Sequence, residues 1–507
     1  MSADPHSRFT KEQGGDILTG MSGSIIKAMD FQCGEGKHRT LRENYLDSRA
    51  EVSEQSANTE SGIFDTEKIA AFYITISPED WAKMQPEHQN ASRSRQPKPP
   101  VERRFEYTRG SVSYANRIYH NVGIRFKGNS SLRGSRNILK KPFLLDFGHF
   151  VKDQTCCGHR KLNFSNGFKD PSLMREKIAY DLFQKAGVPA PRAGYAKLYL
   201  TVEGRYCQEY LGLYTVVEHI DEHFLIDRFG NGNGLLIEID HLPDLVYLGA
   251  EWEHYSRNFE LRSAREISDT DGLIQFVRFL HNSDDGQFAQ MIADLMNVNS
   301  FLRFLAVNVV LANVDSYLGT GHNYFLYQNT ESGRYEMIPL DLNEAFGNFR
   351  MGNAQQMLDL DIHRPTAGRK VLVDRLLNIR IYKAQYIQCL TDLIETNFRV
   401  EAIYEQIDHL YGLIRDAVVA DKHKLYSTIL FEESIHKNVT LEHQPPLPQP
   451  GNQGEHKDQR RHRPPPMQVI GLKPFVTKRI ESIEAQLRDD RRGYIIHQGM
   501  KRPGGKA

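Results

Sequence analysis

The chain has 507 residues, enough for two to four domains or for one large two-lobed enzyme with a sizeable hydrophobic core. Lys and Arg together number 64, and so do Asp and Glu, so the formal net charge at pH 7 is zero. A neutral chain has no overall field that would attract nucleic acid or an anionic membrane. We therefore predict no nucleic-acid partner, and any site for a polyanion has to be local.

The sequence also bears on where the protein resides. No stretch approaches the length of uninterrupted apolar residues that a membrane span requires, so none is predicted. The N-terminus lacks the basic start and apolar run of a secretory signal. We expect a cytoplasmic protein, while secretion stays open if the start has been assigned too far downstream.

Composition divides the chain into segments of different character. Residues 1–61 are rich in Ser, Glu, Gly and Lys without a sustained apolar period, which predicts a disordered N-terminal arm. A strand-rich N-lobe is expected over 62–220 and a helical C-lobe over 221–490. The Pro-rich, charged stretch 444–466 is predicted to be an extended insertion within the C-lobe, and 491–507 a flexible tail.

The first lobe shows the two-residue alternation of strands. Residues 69–76 alternate clearly, and further strands are predicted around 122–126, 141–147, 195–202 and 210–218. One helix is expected among them. Asp170 is its predicted N-cap, Pro171 is its first residue, and its apolar face ends before Gly187.

After about residue 220 the apolar period changes to that of helices. The predicted helices cover 272–282, 286–296, 299–312, 379–397, 399–420 and 473–487. The sequence therefore predicts an α+β fold with two lobes. The natural ligand site of such a fold is the cleft between the lobes.

Three polar residues follow apolar runs in the second half. Asp315 ends the run FLAVNVVLANVD, where the negative end of a helix would disfavour a carboxylate. Asn323 begins the predicted strand NYFLYQ and Asp341 follows YEMIP, so the three can converge at one end of a hairpin. Their oxygens suit Mg²⁺ and phosphoryl transfer. From spacing alone, ordinary caps of helices and turns remain the more common explanation.

At these residues the sequence resembles a known family, the CotH family of spore-coat-type atypical protein kinases. The segments that carry the resemblance are NVGIRFKGNSS, KKPFLLDF, KLNFSNGFKDPSLMREKIAYDLFQKAGVPAPRAGYAKLYL, YLGLYTVVEHID, NVD with HNYFLYQ, IPLDLNEAFG and PFVTKRIESIEAQL. They span about residues 62–490. The resemblance implies a divergent protein-kinase-like fold that binds ATP and Mg²⁺, or Mn²⁺, and phosphorylates Ser or Thr hydroxyls of proteins.

The resemblance also implies roles for individual residues. Asp315 matches the family's catalytic aspartate, Asn323 the asparagine that follows it, and Asp341 its metal-binding aspartate. Leu340 stands where the family usually has tryptophan, and Asn343 replaces a second aspartate. The candidate metal ligands are thus Asn323, Asp341 and Asn343, and the missing charge at Asn343 leaves a catalytically impaired relative as an alternative.

The lysine that anchors phosphate is chosen by analogy with kinases, in which a strand lysine pairs with a helix glutamate. Glu176 is the predicted glutamate, and Lys141 is preferred as the lysine over Lys140, Lys127 and Lys161. The turn of Gly128, Asn129 and Ser130 could cover phosphates, although a plain hairpin turn explains it equally well. Glu238 stands near a position where the family often has a lysine.

The segment 216–220 lies where the strands end and is the predicted hinge, with Glu218 as the candidate residue whose backbone meets adenine. A buried edge strand is the alternative. The predicted function is thus a CotH-type protein kinase with a protein substrate. The alternatives are a nucleotide-binding coat or assembly scaffold that has lost turnover and a kinase-like nucleotidyltransferase.

Overall fold

The computed structural model describes residues 62–85, 105–239, 242–263, 270–349, 351–441 and 466–496. The predicted N-terminal arm lies outside these described residues. So does almost all of the predicted insertion at 444–466, as well as the end of the predicted tail from residue 497 onward.

Seven strands of the first lobe form a closed barrel. They are β1 (Ile69–Ile76), β2 (Thr108–Tyr114), β3 (Arg117–Phe126), β4 (Phe143–Asp146), β5 (Lys161–Ser165), β6 (Ala193–Val202) and β7 (Tyr206–Glu218). Their order is β1-β2-β3-β4-β5-β7-β6, and the parallel pair of β1 and β6 closes the ring. The strands predicted from alternation are confirmed, but the sequence did not predict the closure.

The alternation places one face of each strand inside the barrel and the other outside. Ile124, Phe126, Leu162 and Phe164 belong to its apolar interior. On β5 the opposite, outward face therefore carries Lys161 and two further polar residues. On β7 the outward residues Leu213 and Val217 pack into the core of the helical half. This outer face of the barrel is thus turned toward the second lobe.

Two short helices, α1 (Pro78–Met84) and α2 (Ser130–Gly134), accompany the barrel strands. A longer one, α3 (Arg175–Lys185), begins five residues later than its predicted N-cap at Asp170. The Asp170 carboxylate accepts the backbone N–H groups of Arg175 and Ser172, at 2.9 and 3.0 Å, and so holds a tight turn before the helix. The left-handed Leu173, with φ of 58°, prevents an earlier start.

The second lobe is mainly helical. Its helices are α4 (Glu222–Phe229), α5 (Asp271–Asn282), α6 (Asp285–Leu295), α7 (Val298–Val310), α8 (Ala354–Leu358), α9 (Val371–Asn378), α10 (Arg380–Glu395), α11 (Val400–Ala420), α12 (Thr428–His436) and α13 (Leu472–Leu487). The six helices predicted from the 3.6-residue period are confirmed, with ends within two residues. The predicted α+β class is confirmed as well.

Two smaller sheets lie in this lobe. The larger contains β8 (Leu235–Ile239), β9 (Phe259–Leu261), β10 (Tyr324–Gln328) and β11 (Tyr335–Pro339) in the order β11-β10-β8-β9. The smaller pairs β12 (Val439–Leu441) with β13 (Met467–Val469). Helix α3 packs its apolar face into the helical core, where Phe183 contacts Phe304 with ring centroids 5.8 Å apart. Among the described helices, none has the length and apolarity that crossing a membrane requires.

Candidate active site

The β10–β11 hairpin brings Asn323 and Asp341 together. Tyr324 pairs with Pro339, and the Leu340 N–H donates to the Asn323 carbonyl at 3.0 Å, so both residues lie at one end of the hairpin. Asn323 has φ of 62° and Asp341 has φ of 53°. Left-handed backbone at non-glycine residues is costly and is concentrated at functional sites. The predicted convergence of these two residues is therefore confirmed.

Asp315 lies in the loop after α7 rather than at the helix end that the sequence suggested. The helix closes with a Schellman arrangement in which Asn313 N–H donates to the Asn308 carbonyl and Ala312 N–H to the Val309 carbonyl. Ala312 supplies the left-handed residue, with φ of 44°. The predicted conflict with the helix dipole is thus wrong. In this loop the Asn323 side-chain amide donates a hydrogen bond to the backbone carbonyl of Asp315 at 2.8 Å.

The carboxylate of Asp315 is buried and incompletely paired. The residue is 8% exposed, and its Oδ1 has no hydrogen-bond partner. Burial raises the pKa of Asp315, a protonated His322 would lower it, and the Asp341 carboxylate raises it further. His322 Nε2 lies 3.5 Å from the Asp315 Oδ1. Such a carboxylate is suited to accept a proton from a substrate hydroxyl.

Lys127 lies directly after β3, and its charge influences the pKa of Glu176, the glutamate on α3. Glu176 lies in the first turn of α3, and its Oε1 accepts a hydrogen bond from Ser165 Oγ at 3.2 Å. Burial raises the pKa of Glu176 to about 8; the Asp341 carboxylate adds to this effect and Lys127 opposes it. Burial lowers the pKa of Lys127, against the influence of Asp341 and Glu176. The three ionisable groups therefore share one environment, in which burial favours the neutral forms of Glu176 and Lys127.

The two lysines at the start of β4 have other roles. The Lys141 ammonium, chosen from the sequence, donates to the backbone carbonyls of Ser135, Arg136 and Ile138 at 2.8–3.0 Å. Lys140 forms a buried ion pair with Asp421 at 2.7 Å. Lys141 is thus committed to local backbone, and Lys127 is the lysine whose charge reaches Glu176. The sequence offered no period or spacing that separates these lysines, because each stands at a strand end.

Several cations gather around His219, just beyond the end of β7. Burial lowers the pKa of His219 well below its ordinary value, and the charges of Lys161, Arg262, Lys127 and Arg125 lower it further. Strand register places Arg125 and the polar residues of β5 on the outward face of the barrel. The result is a local basic region in which part of the charge is compensated, because Arg262 is ion-paired with Glu238 and Glu260 and the Lys161 Nζ lies 3.7 Å from Asp146. The remaining positive charge is of the kind that attracts a polyphosphate.

Glu238 stands near the position where the resemblance suggested a lysine. It lies on β8 and accepts a hydrogen bond from Arg262 Nε at 2.7 Å. Arg262 also forms an ion pair with Glu260 at 2.9 Å. The positive charge near this position therefore comes from Arg262, just after β9.

Glu218 is engaged away from the cleft. Its carboxylate binds Arg192 at 2.6 Å and Arg228 at 3.0 Å, and its backbone N–H donates to the Arg192 carbonyl at 2.9 Å. It pairs with the barrel-interior residue Leu162. Because this donor is already used, the Glu218 N–H is not available to adenine, and the hinge role of 216–220 stays a prediction. The alternative of a buried edge strand does not describe β7, which lies between β5 and β6 in the barrel.

The predicted phosphate-covering turn is accessible. Gly128, Asn129 and Ser130 are exposed, directly after Lys127, and Gly128 has φ of 73°. The Ser131 Oγ would collide with a Cβ at position 128, so glycine is needed there. The position beside Lys127 is compatible with phosphate, and the role stays a prediction.

The loop after Asp341 contains residues that the sequence did not single out. Glu344 forms an ion pair with Lys169 at 2.6 Å, and burial raises the pKa of Glu344 to about 7 while Lys169 opposes the rise. The Asn343 amide donates to the Phe168 carbonyl at 2.9 Å. Lys169 also acts electrostatically on Asp315. Lysine and glutamate at these positions carry no recognisable motif, so only the fold identifies them.

The residues present suit a hard cation in part. No group of three His, Cys, Asp or Glu side chains comes together as a metal site among the described residues. The exposed Asp341 carboxylate and the Asn323 amide oxygen are ligands of the kind that Mg²⁺ accepts together with water and phosphate. The amide nitrogen of Asn343 is committed to Phe168, which makes Asn343 the weakest of the three predicted ligands.

Comparison with known proteins identifies the class to which this fold and site belong. The family model described as CotH kinase protein matches residues 124–441. The chain belongs to this family, and the resemblance seen in the sequence is confirmed. The family match supports the kinase-like part of the predicted fold.

Two relatives come from Bacillus subtilis (strain 168). The chain is 26% identical over 317 residues to inner spore coat protein H, covering 62% of this chain and 82% of the relative. It is 23% identical over 255 residues to inner spore coat protein H-like protein, covering 50% of this chain and 67% of the relative. Both relatives are named as coat proteins.

Solved structures give weaker similarities. One is the Shewanella oneidensis MR-1 toxin–antitoxin complex of HipA, HipB and operator DNA, with 12% identity and a TM-score of 0.26; the match covers 65% of this chain and 57% of that chain. Another is the Helicobacter pylori proinflammatory kinase CtkA, with 10% identity and a TM-score of 0.24, covering 75% of this chain and 94% of that one.

Proposed function

We propose that this protein is a kinase that transfers the γ-phosphate of ATP to Ser or Thr hydroxyls of a protein substrate. One observation carries the proposal: Lys127, Glu176 and Asp341 share one electrostatic environment beside Asp315 and Asn323. These five residues come from four separate parts of the chain. Membership of the CotH kinase protein family supports the same conclusion.

Each residue has a task in the proposed reaction. Lys127 binds phosphate oxygens, and Glu176, in its ionised form, steadies the Lys127 ammonium. Asp315 accepts the proton of the acceptor hydroxyl while the oxygen of that hydroxyl forms a bond to the γ-phosphorus. The bond from that phosphorus to the oxygen bridging to the β-phosphate breaks, and ADP leaves with that oxygen. The basic region around His219 stabilises the phosphates.

A divalent cation is part of this proposal. Asp341 and Asn323 would hold Mg²⁺ or Mn²⁺, which would neutralise charge on the phosphates when bound. Asn343 would contribute through its amide oxygen at most, because its nitrogen donates to Phe168.

The experiment is to incubate the protein with a generic acceptor protein and either γ-labelled or α-labelled ATP, with Mg²⁺ or Mn²⁺. Asp315→Asn, which keeps the shape of the side chain, is the matched variant. We expect transfer from γ-labelled ATP alone, and loss of that transfer in the variant. Transfer in Asp315→Asn at the wild-type rate would contradict the proposed role of Asp315.

A second candidate function is a nucleotide-binding coat or assembly scaffold. Two observations favour it: the second aspartate is replaced by an Asn343 that serves as a structural tether, and the curated relatives are named as coat proteins. Nucleotide binding without transfer of either label would support this scaffold. Transfer from α-labelled ATP would instead indicate nucleotidyl transfer.

A further inference from the structure

Lys169 brings a second lysine to the candidate active site. Its ammonium lies 2.6 Å from the carboxylate of Glu344, three residues after Asp341. An ammonium has three N–H donors, and within the described part of the chain Glu344 is the acceptor for one of them. The Lys169 side chain is 29% exposed, so it is open to solvent, whereas that of Glu344 is 9% exposed. The ammonium therefore has donors left for a ligand.

The backbone of Lys169 is held in place on both sides. Its N–H donates to the Tyr426 hydroxyl at 2.8 Å, and its carbonyl accepts a hydrogen bond from Asn348 Nδ2 at 2.7 Å. Lys169 has φ of 62°, a left-handed conformation that is costly at a non-glycine residue and is concentrated at functional sites. These contacts fix the point from which the side chain extends toward the loop after Asp341.

Two lysines act on different acidic groups of the site. The charge of Lys127 interacts with Asp341 and Glu176. Burial raises the pKa of Asp315, and the charge of Lys169 opposes this rise. In the proposed reaction Asp315 takes the proton of the hydroxyl that attacks the γ-phosphorus, so the γ-phosphate has to lie next to Asp315. Lys169 is therefore the lysine whose charge reaches the position of the γ-phosphate.

A purely structural role for Lys169 makes a different prediction. Burial favours the neutral form of Glu344, and a buried carboxylate without a partner destabilises the fold. If Lys169 served only to compensate Glu344, removal of both charges would restore the behaviour of the wild type. If Lys169 binds phosphate, removal of both charges restores the fold and leaves the phosphate without its donor.

We propose that Lys169 binds the γ-phosphate of a nucleoside triphosphate and makes this site select triphosphates over diphosphates. The inference rests on the proposed kinase function and names the part of the nucleotide that the site recognises. Glu344 orients the ammonium, and the remaining N–H groups of Lys169 donate to γ-phosphate oxygens. Once the γ-phosphate has been transferred, ADP lacks the group that Lys169 binds and dissociates more readily.

The test compares the affinities of two nucleotides by titration calorimetry in the presence of Mg²⁺. The nucleotides are ADP and AMP-PNP, an ATP analogue with an N–H bridge between its β- and γ-phosphates. We expect the wild type to bind AMP-PNP more tightly than ADP. Lys169→Met should weaken AMP-PNP binding by about tenfold or more and leave ADP binding unchanged, because one charge-assisted contact to the γ-phosphate is lost. The exposed Lys152 provides the control, since Lys152→Met removes the same charge elsewhere and should keep the wild-type preference.

The double variant Lys169→Met with Glu344→Gln separates phosphate binding from the structural role. We expect it to keep the ADP affinity of the wild type and to lack the preference for AMP-PNP. A double variant that regains this preference would overturn the proposal, because Lys169 would then be needed only by Glu344. An equal loss of affinity for both nucleotides in Lys169→Met, or no loss for either, would overturn it as well.

Parallel assays with γ-labelled ATP and an acceptor protein distinguish failure of this inference from failure of the kinase proposal. A preference for AMP-PNP that depends on Lys169, without any transfer, would support the γ-phosphate site and contradict the kinase. Transfer by the wild type, together with an unchanged preference in Lys169→Met, would overturn the role of Lys169 alone. A wild type that binds neither nucleotide would refute both.

Discussion

Lys127 and Lys141 show how two similar residues at strand ends can have unrelated roles. Lys127 follows β3, and its charge interacts with Glu176 and Asp341. Lys141 precedes β4, and its ammonium satisfies three backbone carbonyls around α2. One lysine is placed for ligand binding and the other for local structure.

Substitution by methionine should separate these roles. Lys127→Met should lower phosphotransfer by roughly a hundredfold, because one phosphate donor is lost, and should change stability little. Lys141→Met should cost about 1–3 kcal/mol of unfolding free energy, because carbonyls lose their donor, while the folded protein keeps its activity. Labelled-ATP assays would measure phosphotransfer in both variants, and urea unfolding would measure their free energies of unfolding. Full activity in Lys127→Met would mean that a different lysine binds the phosphate.

Glu176 should make stability depend on pH. Its pKa is raised from 4.5 to about 8, so between these values the folded state holds a proton that the unfolded chain has lost. The free energy of unfolding should therefore fall as pH rises through this window. Glu176→Gln should reduce this fall by on the order of 1–3 kcal/mol.

Urea midpoints at several pH values from 5 to about 8 would measure this effect. The exposed Glu203 provides the control, because Glu203→Gln should leave the pH dependence of the wild type in place. Equal slopes in wild type and Glu176→Gln would mean that Glu176 is not held in its protonated form.

At the scale of elements, α3 is attached to the helical lobe even though it lies between barrel strands in the sequence. Arg175 is fully buried at its first residue, forms an ion pair with Asp170 at 2.6 Å and also donates to the Ile470 carbonyl ahead of α13. The position of Glu176, the next residue, therefore depends on contacts with the C-terminal part of the chain.

Removal of this anchor should be costly. Arg175→Met should lower the free energy of unfolding by about 3–5 kcal/mol, because it leaves the buried Asp170 without its partner. The double variant Asp170→Asn with Arg175→Met should regain part of this loss. Chemical unfolding of the single and double variants would measure the coupling, and a double variant less stable than Arg175→Met would contradict the ion-pair explanation.

Element positions were predictable where a single period dominates. Apolar spacing predicts helices α5, α6, α7, α10, α11 and α13 and strands β1, β6 and β7, because each buries one continuous face. The start of α3 was not predictable, since Asp170 and Pro171 form a standard cap signal that the left-handed Leu173 and the local ion pair of Asp170 with Arg175 override. The loop position of Asp315 was missed because Ala312 adopts a left-handed conformation that its residue type does not indicate.

At the scale of the whole molecule, a buried ion pair joins the two lobes. Lys140 from the barrel and Asp421 at the end of α11 have fully buried side chains 2.7 Å apart. The Leu213 N–H also donates to Asp421, at 3.2 Å. Gly212, with φ of 120°, gives the carboxylate room, because a Cβ there would collide with it. This ion pair therefore fixes the barrel against the end of α11.

Lys140→Met should destabilise the protein by about 3–5 kcal/mol, because Asp421 would keep its charge without its cation. Lys140→Met combined with Asp421→Asn should be more stable than Lys140→Met alone. Thermal and urea unfolding followed by circular dichroism would measure both. If Lys140→Met lost no more unfolding free energy than Lys141→Met, the Lys140–Asp421 pair would not be the source of the larger stabilisation.

The candidate site was predictable only in part from sequence. Asp315, Asn323 and Asp341 stand out because each follows an apolar element, and the hairpin brings the last two together. Lys127, Lys169 and Glu344 do not stand out, because their significance comes from charges that approach through the fold. Electrostatic partners distant in the chain leave no periodic trace in the sequence.

The Lys140–Asp421 pair also constrains the order in which the protein can mature during synthesis. The last barrel strand ends at Glu218, but the partner of Lys140 is added 281 residues after the lysine itself. Until then a newly made barrel would hold a lysine that must remain hydrated or lose its proton. A chain that stops before Asp421 therefore lacks the buried partner of Lys140. The nascent N-lobe should reach its final packing only once α11 has emerged from the ribosome.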